Sequence, residues 1–371
     1  MIHQDFDTDV SRQYADCQHC LSVDILHGGH INDTFLARYA SAVGTHSLIH
    51  QRINPHVFKN IPCVIENMVR VTEHARVWFA SNNVTDPGRR VQSVYPTMEG
   101  NYYWQDTHGG YWRTHDYIDG VYTRATAQSA DEAYEASFAF GLFQRVVSGL
   151  DKPRLHETIP GFHNTPQRFV AFEEAVNQDG ANRLSSCSAE VEILLHRKSW
   201  HGDLHNAWLA GYIPERVVHN DAKVGNVLFD RETSEGLTVI DLDTVMPGLS
   251  AHDYGDLIRS TACTGAEDEQ DLKKVSIDMD LFRAVTHGFL AGAGPLLTKQ
   301  EHELMFTGAK TIILEQATRF LKDHLEGDVY FRTERFHHNL DRARTQIALL
   351  QSLELNEIRF IDLIKDGPTY Y

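Results

Sequence analysis

The stretch His219-Asn220-Asp221-Ala222-Lys223-Val224-Gly225-Asn226 places an Asp, a Lys and an Asn in one short loop. Ile240-Asp241-Leu242-Asp243 then adds two further carboxylates. Between them lie two short apolar runs, Asn226-Val227-Leu228-Phe229 and Leu237-Thr238-Val239-Ile240, joined by a stretch of hairpin length from Asp230 to Gly236. An antiparallel pair closed by a turn brings its open ends together. Asp221 sits in the loop before the first strand, Asn226 opens that strand and Asp241 closes the second, so the three side chains are expected to converge. Three hard oxygen donors at one point suit Mg²⁺, which leaves room for phosphate oxygens in its shell.

An Asp, an Asn five residues later and a second Asp on the next strand form the spacing that carries phosphoryl transfer in kinases. On that reading Asp221 accepts the proton of the attacking hydroxyl, and Asn226 and Asp241 hold Mg²⁺ on the nucleotide phosphates. Lys223 neutralises charge on the transferred group, and Asp243 is a second metal ligand or a substrate contact. His219 is expected to hold the loop as a structural histidine. Either half alone could be an Asx-turn or an exposed strand end. Both halves around one hairpin point to phosphate transfer from a nucleotide.

Such residues need a scaffold on each side. The first part of the chain reads as short strands with turn signals, among them Phe35-Leu36-Ala37-Arg38-Tyr39 and Ser47-Leu48-Ile49-His50-Gln51. The Gly28-Gly29 turn suits a loop over phosphates, where absent Cβ atoms let backbone amides approach. His30, Asn32 and Thr34 follow it. Residues 60–78 switch to helical spacing, with Val64, Met68, Val71 and Ala75 on one face. Strands are expected again over 91–95, 102–104 and 111–113. Beyond Asp119-Gly120 helices dominate. Ser129 to Glu132 reads as a capping box, and Thr165-Pro166 as an N-cap followed by Pro at N1. Further helices are expected over 269–291, 299–325 and 337–358. The fold class is therefore α+β, with a small strand-rich N-lobe (residues 1–118), a larger helical C-lobe (119–371) and a ligand cleft between them.

Composition narrows the partners. A net charge of −17 opposes nucleic-acid binding, which needs a basic surface. No apolar run reaches the roughly 18 residues of a membrane span, so no membrane partner is expected. The polar start MIHQDFDTDV lacks the pattern of a secretory leader, which favours a cytoplasmic protein. Five Cys do not make a disulfide framework. Cys17 and Cys20 form a lone C-x-x-C near His19, His27 and His30, and free thiols are favoured over a metal site.

The runs RVVHNDAKVGNVLFDRETSEGLTVIDLDTVMPG and HDYGDLIRS resemble the aminoglycoside phosphotransferase and choline kinase superfamily. Further stretches, GGHINDTFL, FHNTPQRF, EDEQDLKKV, TRFLKDHLEGDVYF and HNLDRARTQIALLQ, are similar to its members that phosphorylate the anomeric hydroxyl of N-acetylhexosamines. The likeness runs, with gaps, over residues 25–355. It implies a bilobal protein-kinase-like fold, ATP and Mg²⁺ as cofactors and a small sugar as substrate. It implies no oligomeric state. Asp253 would brace the catalytic loop through backbone amides. Arg319, Asp328 and Tyr330 would contact the sugar, with His30 and Asn32 at the cleft mouth. Asp116-Tyr117-Ile118-Asp119 would be the hinge, with Tyr117 and Ile118 pairing adenine through the backbone. One departure stands out: the third-strand Lys of kinases is Gln51 here. Gln51 or the adjacent Arg52 would have to serve, although Arg52 should point to the other face, and Glu66 on the next helix is a weak partner. Two other readings are the same chemistry on another acceptor (an aminoglycoside, choline, homoserine or another sugar) and, because of Gln51, a nucleotide-binding pseudokinase.

Overall fold

The computed structural model describes residues 6–15, 17, 19–26, 31–41, 44–150 and 153–368. Gly28, Gly29 and His30 lie outside them. An antiparallel sheet in the order β1-β2-β3-β5-β4 is built from β1 (Cys20–Ile25), β2 (Asp33–Ser41), β3 (Gly44–Ile53), β4 (Trp104–Gln105) and β5 (Tyr111–Asp116). The β2–β3 hairpin keeps register from Asp33 opposite Arg52 to Ser41 opposite Gly44. Along β3 and β5, Gln51 faces Arg113 and His50 faces Thr114.

Alternation along β3 and β5 sorts their side chains onto two faces. Leu48 and Trp112 join Phe6, Val10 and Tyr14, so the N-terminal segment covers the outer face. His50 lies there too, bonded to Tyr39 Oη at 2.6 Å and Thr114 Oγ1 at 2.7 Å. Ile49, Gln51 and Ile53 point to the inner face, and Ile53 joins the core that contains α1 (Ile61–Ser81). Asn60 caps α1, and Val64, Met68, Val71 and Ala75 are all buried. Residues 91–95 make only a bridge, Val94 to His115, where a strand was expected. The segment shares that edge of β5 with β4, which pairs at Trp112 and Tyr111, and two hydrogen bonds flank the bridge, Tyr95 N–H to the Thr114 carbonyl at 2.8 Å and Asp116 N–H to the Ser93 carbonyl at 3.0 Å.

The helices that bear on the site are α2 (Ala130–Val147), α3 (Thr165–Gln178), α4 (Ser250–Thr261), α5 (Met279–Ala293), α6 (Met305–Glu326) and α7 (His338–Leu355). Ser129 accepts from Glu132 N, but the Glu132 carboxylate accepts from Gln128 N, so the expected capping box is only half formed. Asn164, not Thr165, caps α3; the Thr165 hydroxyl donates instead to the His201 carbonyl. The helix expected from 269 begins at Met279, capped by Asp278. The one expected from 299 breaks at Leu304 between Lys299–Glu303 and α6. Helices α4 and α6 cross in backbone contact: a Cβ at Gly255 would lie 2.5 Å from the Gly308 carbonyl oxygen.

Two small sheets complete the C-terminal part: β6 (Val121–Tyr122), β8 (Val227–Asp230) and β9 (Gly236–Val239), and the pair β7 (Arg216–Val218) with β10 (Met246–Gly248). The hairpin read from sequence is β8–β9. Where the chain leaves the large sheet, Ile118 packs with Leu228 and Leu237. Tyr117 and Ile118 thus lie between the sheet and this hairpin. Among the described residues no helix is long and apolar enough to cross a membrane.

Candidate active site

The loop after β7 is set by a carboxylate beneath it. Asp253, near the start of α4 and fully buried, accepts the backbone N–H of His219 at 2.9 Å and of Asn220 at 2.7 Å. Gln144 Nε2 donates to the same group at 2.7 Å. The His219 ring stands edge-on to Phe140 and its Nε2 lies 3.0 Å from the Ile240 carbonyl oxygen. His219 therefore joins the loop to the open end of β9. Asn220 takes a left-handed backbone, φ 66, and its side chain donates to the Thr244 carbonyl at 2.9 Å.

Asp221 follows, half-buried. Lys223 Nζ is 2.8 Å from its Oδ2, and Asn226 Nδ2 donates to its carbonyl oxygen at 2.9 Å and to Oδ2 at 3.1 Å. Asn226 ends a tight turn, Val224–Asn226, rather than opening β8. The Ile240 N–H donates to the Asn226 carbonyl at 2.9 Å, so Asn226 sits across from the residue before Asp241. Asp241 is left-handed at φ 62, ψ 54, a costly conformation for a non-glycine residue.

The electrostatics separate the two carboxylates. Burial raises the Asp221 carboxyl, but the Lys223 ammonium, with His219 and Asn226, more than reverses this and brings it down to about 2. Burial raises Asp241 too, and the charges on Asp243 and Asp221 push the same way, to about 6. Burial works against the Lys223 ammonium, but Asp221, Asp241 and Asp256 around it raise it overall. A cation between Asp221 and Asp241 would relieve the repulsion that raises Asp241. Among the described residues no group of three or more His, Cys, Asp and Glu is arranged to hold a metal. Asn226 and Asp241 supply an amide and a carboxylate oxygen, hard donors of the kind Mg²⁺ takes beside phosphate and water.

On the N-lobe side Gln51 is part of a buried network. Its Oε1 accepts from Arg113 Nε at 3.0 Å and Nη2 at 2.8 Å, and lies 3.1 Å from His115 Nε2. Its Nε2 donates to Thr34 Oγ1 at 3.0 Å. Arg113 also pairs with Asp243. Asn32 Nδ2 donates to the other Asp243 oxygen at 2.6 Å and its Oδ1 accepts from Asn54 N at 3.0 Å. Both Asp243 oxygens are thus committed to protein partners, which disfavours the metal role expected for it. Arg52 lies on the opposite face of β3, 3.9 Å from Asp106, so the strand's alternation sets it apart from the face that carries Gln51. Glu66 lies 3.0 Å from His156 Nε2 at an exposed edge, not beside Gln51.

On the C-lobe side His163 Nε2 lies 3.2 Å from the Asn220 carbonyl and its Nδ1 3.0 Å from Glu315 Oε1. Glu315 is fully buried and its Oε2 has no hydrogen-bond partner among the described residues. Burial raises the Glu315 carboxyl, but His163, Arg319 and Arg168 bring it down to about 2. Arg319 lies over the rings of Phe162, Phe331 and Tyr330 at 5.3, 5.5 and 5.9 Å. Tyr330 is exposed. Asp328 is not free for a ligand: it pairs with Arg183 and accepts from Asn339 Nδ2 at 2.9 Å. Asp323 shapes this loop by accepting the N–H groups of Val329, Tyr330 and Phe331 at 3.0, 2.8 and 2.9 Å. His163, Glu315, Asp323 and Arg113 were not among the expected site residues. Glu315 has a sequence signal, one helical turn before Arg319. Arg113 has none, because its partners, Gln51 and Asp243, lie far from it in the chain.

Comparison with solved structures gives the same architecture at low identity. An aminoglycoside phosphotransferase from Alicyclobacillus acidocaldarius superimposes with a TM-score of 0.63 at 13% identity, covering 97% of this chain and 96% of that one. A choline kinase from Cryptosporidium parvum gives 0.56 at 14% identity, covering 97% and 99%. A spectinomycin phosphotransferase, solved with ADP and spectinomycin, gives 0.52 at 12% identity, covering 88% and 92%. These likenesses establish the bilobal kinase-like fold. The model of the phosphotransferase enzyme family matches residues 25–276, from the end of β1 through the loop of Asp221, the β8–β9 hairpin and α4. The chain belongs to the phosphotransferase enzyme family.

Proposed function

We propose that this phosphotransferase moves the terminal phosphoryl group of ATP, with Mg²⁺, onto the anomeric hydroxyl of an N-acetylhexosamine. The observation that carries the acceptor class is the charge beneath Asp221. Arg319 and Arg168 stand around the Glu315–His163 pair, walled by Phe162, Tyr330 and Phe331. Guanidinium groups repel the ammonium groups of choline or an aminoglycoside. A neutral sugar can accept from Arg319 and lay its apolar ring face on the exposed Tyr330. A site of buried polar groups also discriminates strongly, because a wrong ligand leaves them unpaired. The nucleotide half is supported by the family and by the ADP held in the spectinomycin phosphotransferase structure.

Asp221 accepts the proton of the attacking hydroxyl. A carboxyl near 2 is a weak base, but the loose transition state of phosphoryl transfer asks little of it, and the anomeric hydroxyl is acidified by the ring oxygen. Lys223, 2.8 Å from Asp221, is placed to turn towards the transferred group, and losing that partner would raise the basicity of Asp221. Asn226 and Asp241 would hold Mg²⁺, which neutralises charge on the phosphate oxygens when bound. Asp253 keeps the loop, and hence Asp221, in line for attack.

Nucleoside-diphosphate release with MgATP should be measured against N-acetylglucosamine, N-acetylgalactosamine, glucose, galactose, choline, homoserine and kanamycin. The proposal expects turnover with an N-acetylhexosamine and an ester labile to mild acid, as an anomeric phosphate is. Turnover with amines alone would overturn the acceptor assignment.

A further inference from the structure

We propose that Arg113, on β5, is the phosphate-binding cation of the nucleotide site, moved one strand over from where kinases carry their Lys. The inference rests on the nucleotide reading above. Kinases place a Lys on the third strand, where it holds the α- and β-phosphates and pairs with a helix Glu. Neither β3 nor β5 contains a Lys here. The cation directly across from Gln51 in register is Arg113, on the same inner face. The helix Glu is replaced too: Glu66 points to His156, and the anion paired with Arg113 is Asp243, two residues beyond Asp241.

The guanidinium has five N–H groups in a planar fork. Nε and Nη2 each give one to Gln51 and Nη1 gives one to Asp243. Two N–H groups have no hydrogen bond among the described residues; the side chain is 1% exposed, so a phosphate reaches them when the Asn32–Asp243 contact opens, and one side chain then holds its ion pair and a ligand together. The neighbours fit this use. Gln51 offers Arg113 only a neutral carbonyl, so its charge is not cancelled from the strand. Asn32, at the end of the β1–β2 connection, reaches the other oxygen of Asp243 at 2.6 Å. The start of β2, the inner face of the sheet and the loop of Asp241 therefore meet at Arg113, and these segments surround the phosphates in the kinase arrangement.

The test compares MgATP and MgGTP with adenosine and guanosine by calorimetric titration of the full chain. Arg113→Met should weaken the bound triphosphate by about 10-fold or more, as expected for a lost charge-assisted contact, and leave its nucleoside within about 2-fold. Arg113→Lys should keep most of the affinity. The exchange Gln51→Lys with Arg113→Gln should recover part of it, which a strut role would not. Should Arg113→Met not fold, Gln51→Glu keeps an acceptor for Arg113 but adds a negative charge against the guanidinium, and the same selective loss is expected. Equal losses for triphosphate and nucleoside, or no loss, would overturn the proposal and leave Arg113 as a tie between sheet and loop. A wild-type protein with no preference for triphosphate over nucleoside would instead overturn the nucleotide reading.

Discussion

The two flanks of Asp221 manage buried charge in different ways. On the N-lobe flank one guanidinium, Arg113, is held by Gln51 and Asp243, from two chain segments far from it in sequence. On the C-lobe flank Glu315 and Arg319 stand four residues apart on α6, 3.7 Å from each other, and His163 and Arg168 come from elsewhere in the chain. A sheet assembles charge by register between distant strands, whereas a helix assembles it by its own repeat. The first flank is closed: Gln51, Arg113, Asp243 and Asn32 bond one another. The second is buried at Glu315 but reaches the surface at Tyr330, which is exposed. That contrast suits a donor held the same way in every turnover and an acceptor that must enter and leave.

The comparison can be broken at its centre. Asp221→Asn should lower turnover by about 10²–10⁴ with nucleotide affinity little changed, measured by initial rates and titration. On the acceptor flank His163→Phe leaves Glu315 buried without its closest cation. Stability should fall by about 3–5 kcal/mol, measured by denaturant unfolding. The pH dependence gives the sign. Burial opposes the His163 cation but Glu315 outweighs it, so its pKa is raised. The stabilisation is fully present below about 6.5 and lost as pH rises through the raised value. Wild-type and His163→Phe melting temperatures should therefore converge on the alkaline side. Asp323→Ala frees the three amides that shape the Tyr330 loop. It should cost about 1–3 kcal/mol and raise the acceptor KM while leaving the nucleotide KM unchanged. The smallest effect sharpens the donor flank: Arg52→Ala removes the exposed partner of Asp106 on the far face. It should change stability by less than about 1 kcal/mol and leave nucleotide affinity unchanged, in contrast to Arg113.

Much of this was legible because it is local. The β8–β9 hairpin follows from two short apolar runs and a turn of fixed length. The convergence of Asp221, Asn226 and Asp241 at its open end follows from that geometry. The buried stripe of α1 follows from helical period. What the sequence hid is long-range. Nothing near residue 113 announces that it faces Gln51, because register is fixed by the whole sheet. The 91–95 segment has strand composition but reaches an edge already used by β4. Asp328 reads as a polar residue in a ligand loop, yet its oxygens are taken by Arg183 and Asn339 from other elements.

The central claim is that Asp221 serves a hydroxyl acceptor bound on the C-lobe flank. The most direct measurement is single-turnover phosphorylation of N-acetylglucosamine and N-acetylgalactosamine by wild type and Asp221→Asn, at saturating MgATP. The account predicts a 1-phosphate ester from the wild type and a rate lower by about 10²–10⁴ in the variant, with the sugar still bound. An equal rate in the variant, or no sugar phosphate from the wild type while an amine acceptor is phosphorylated, would contradict it.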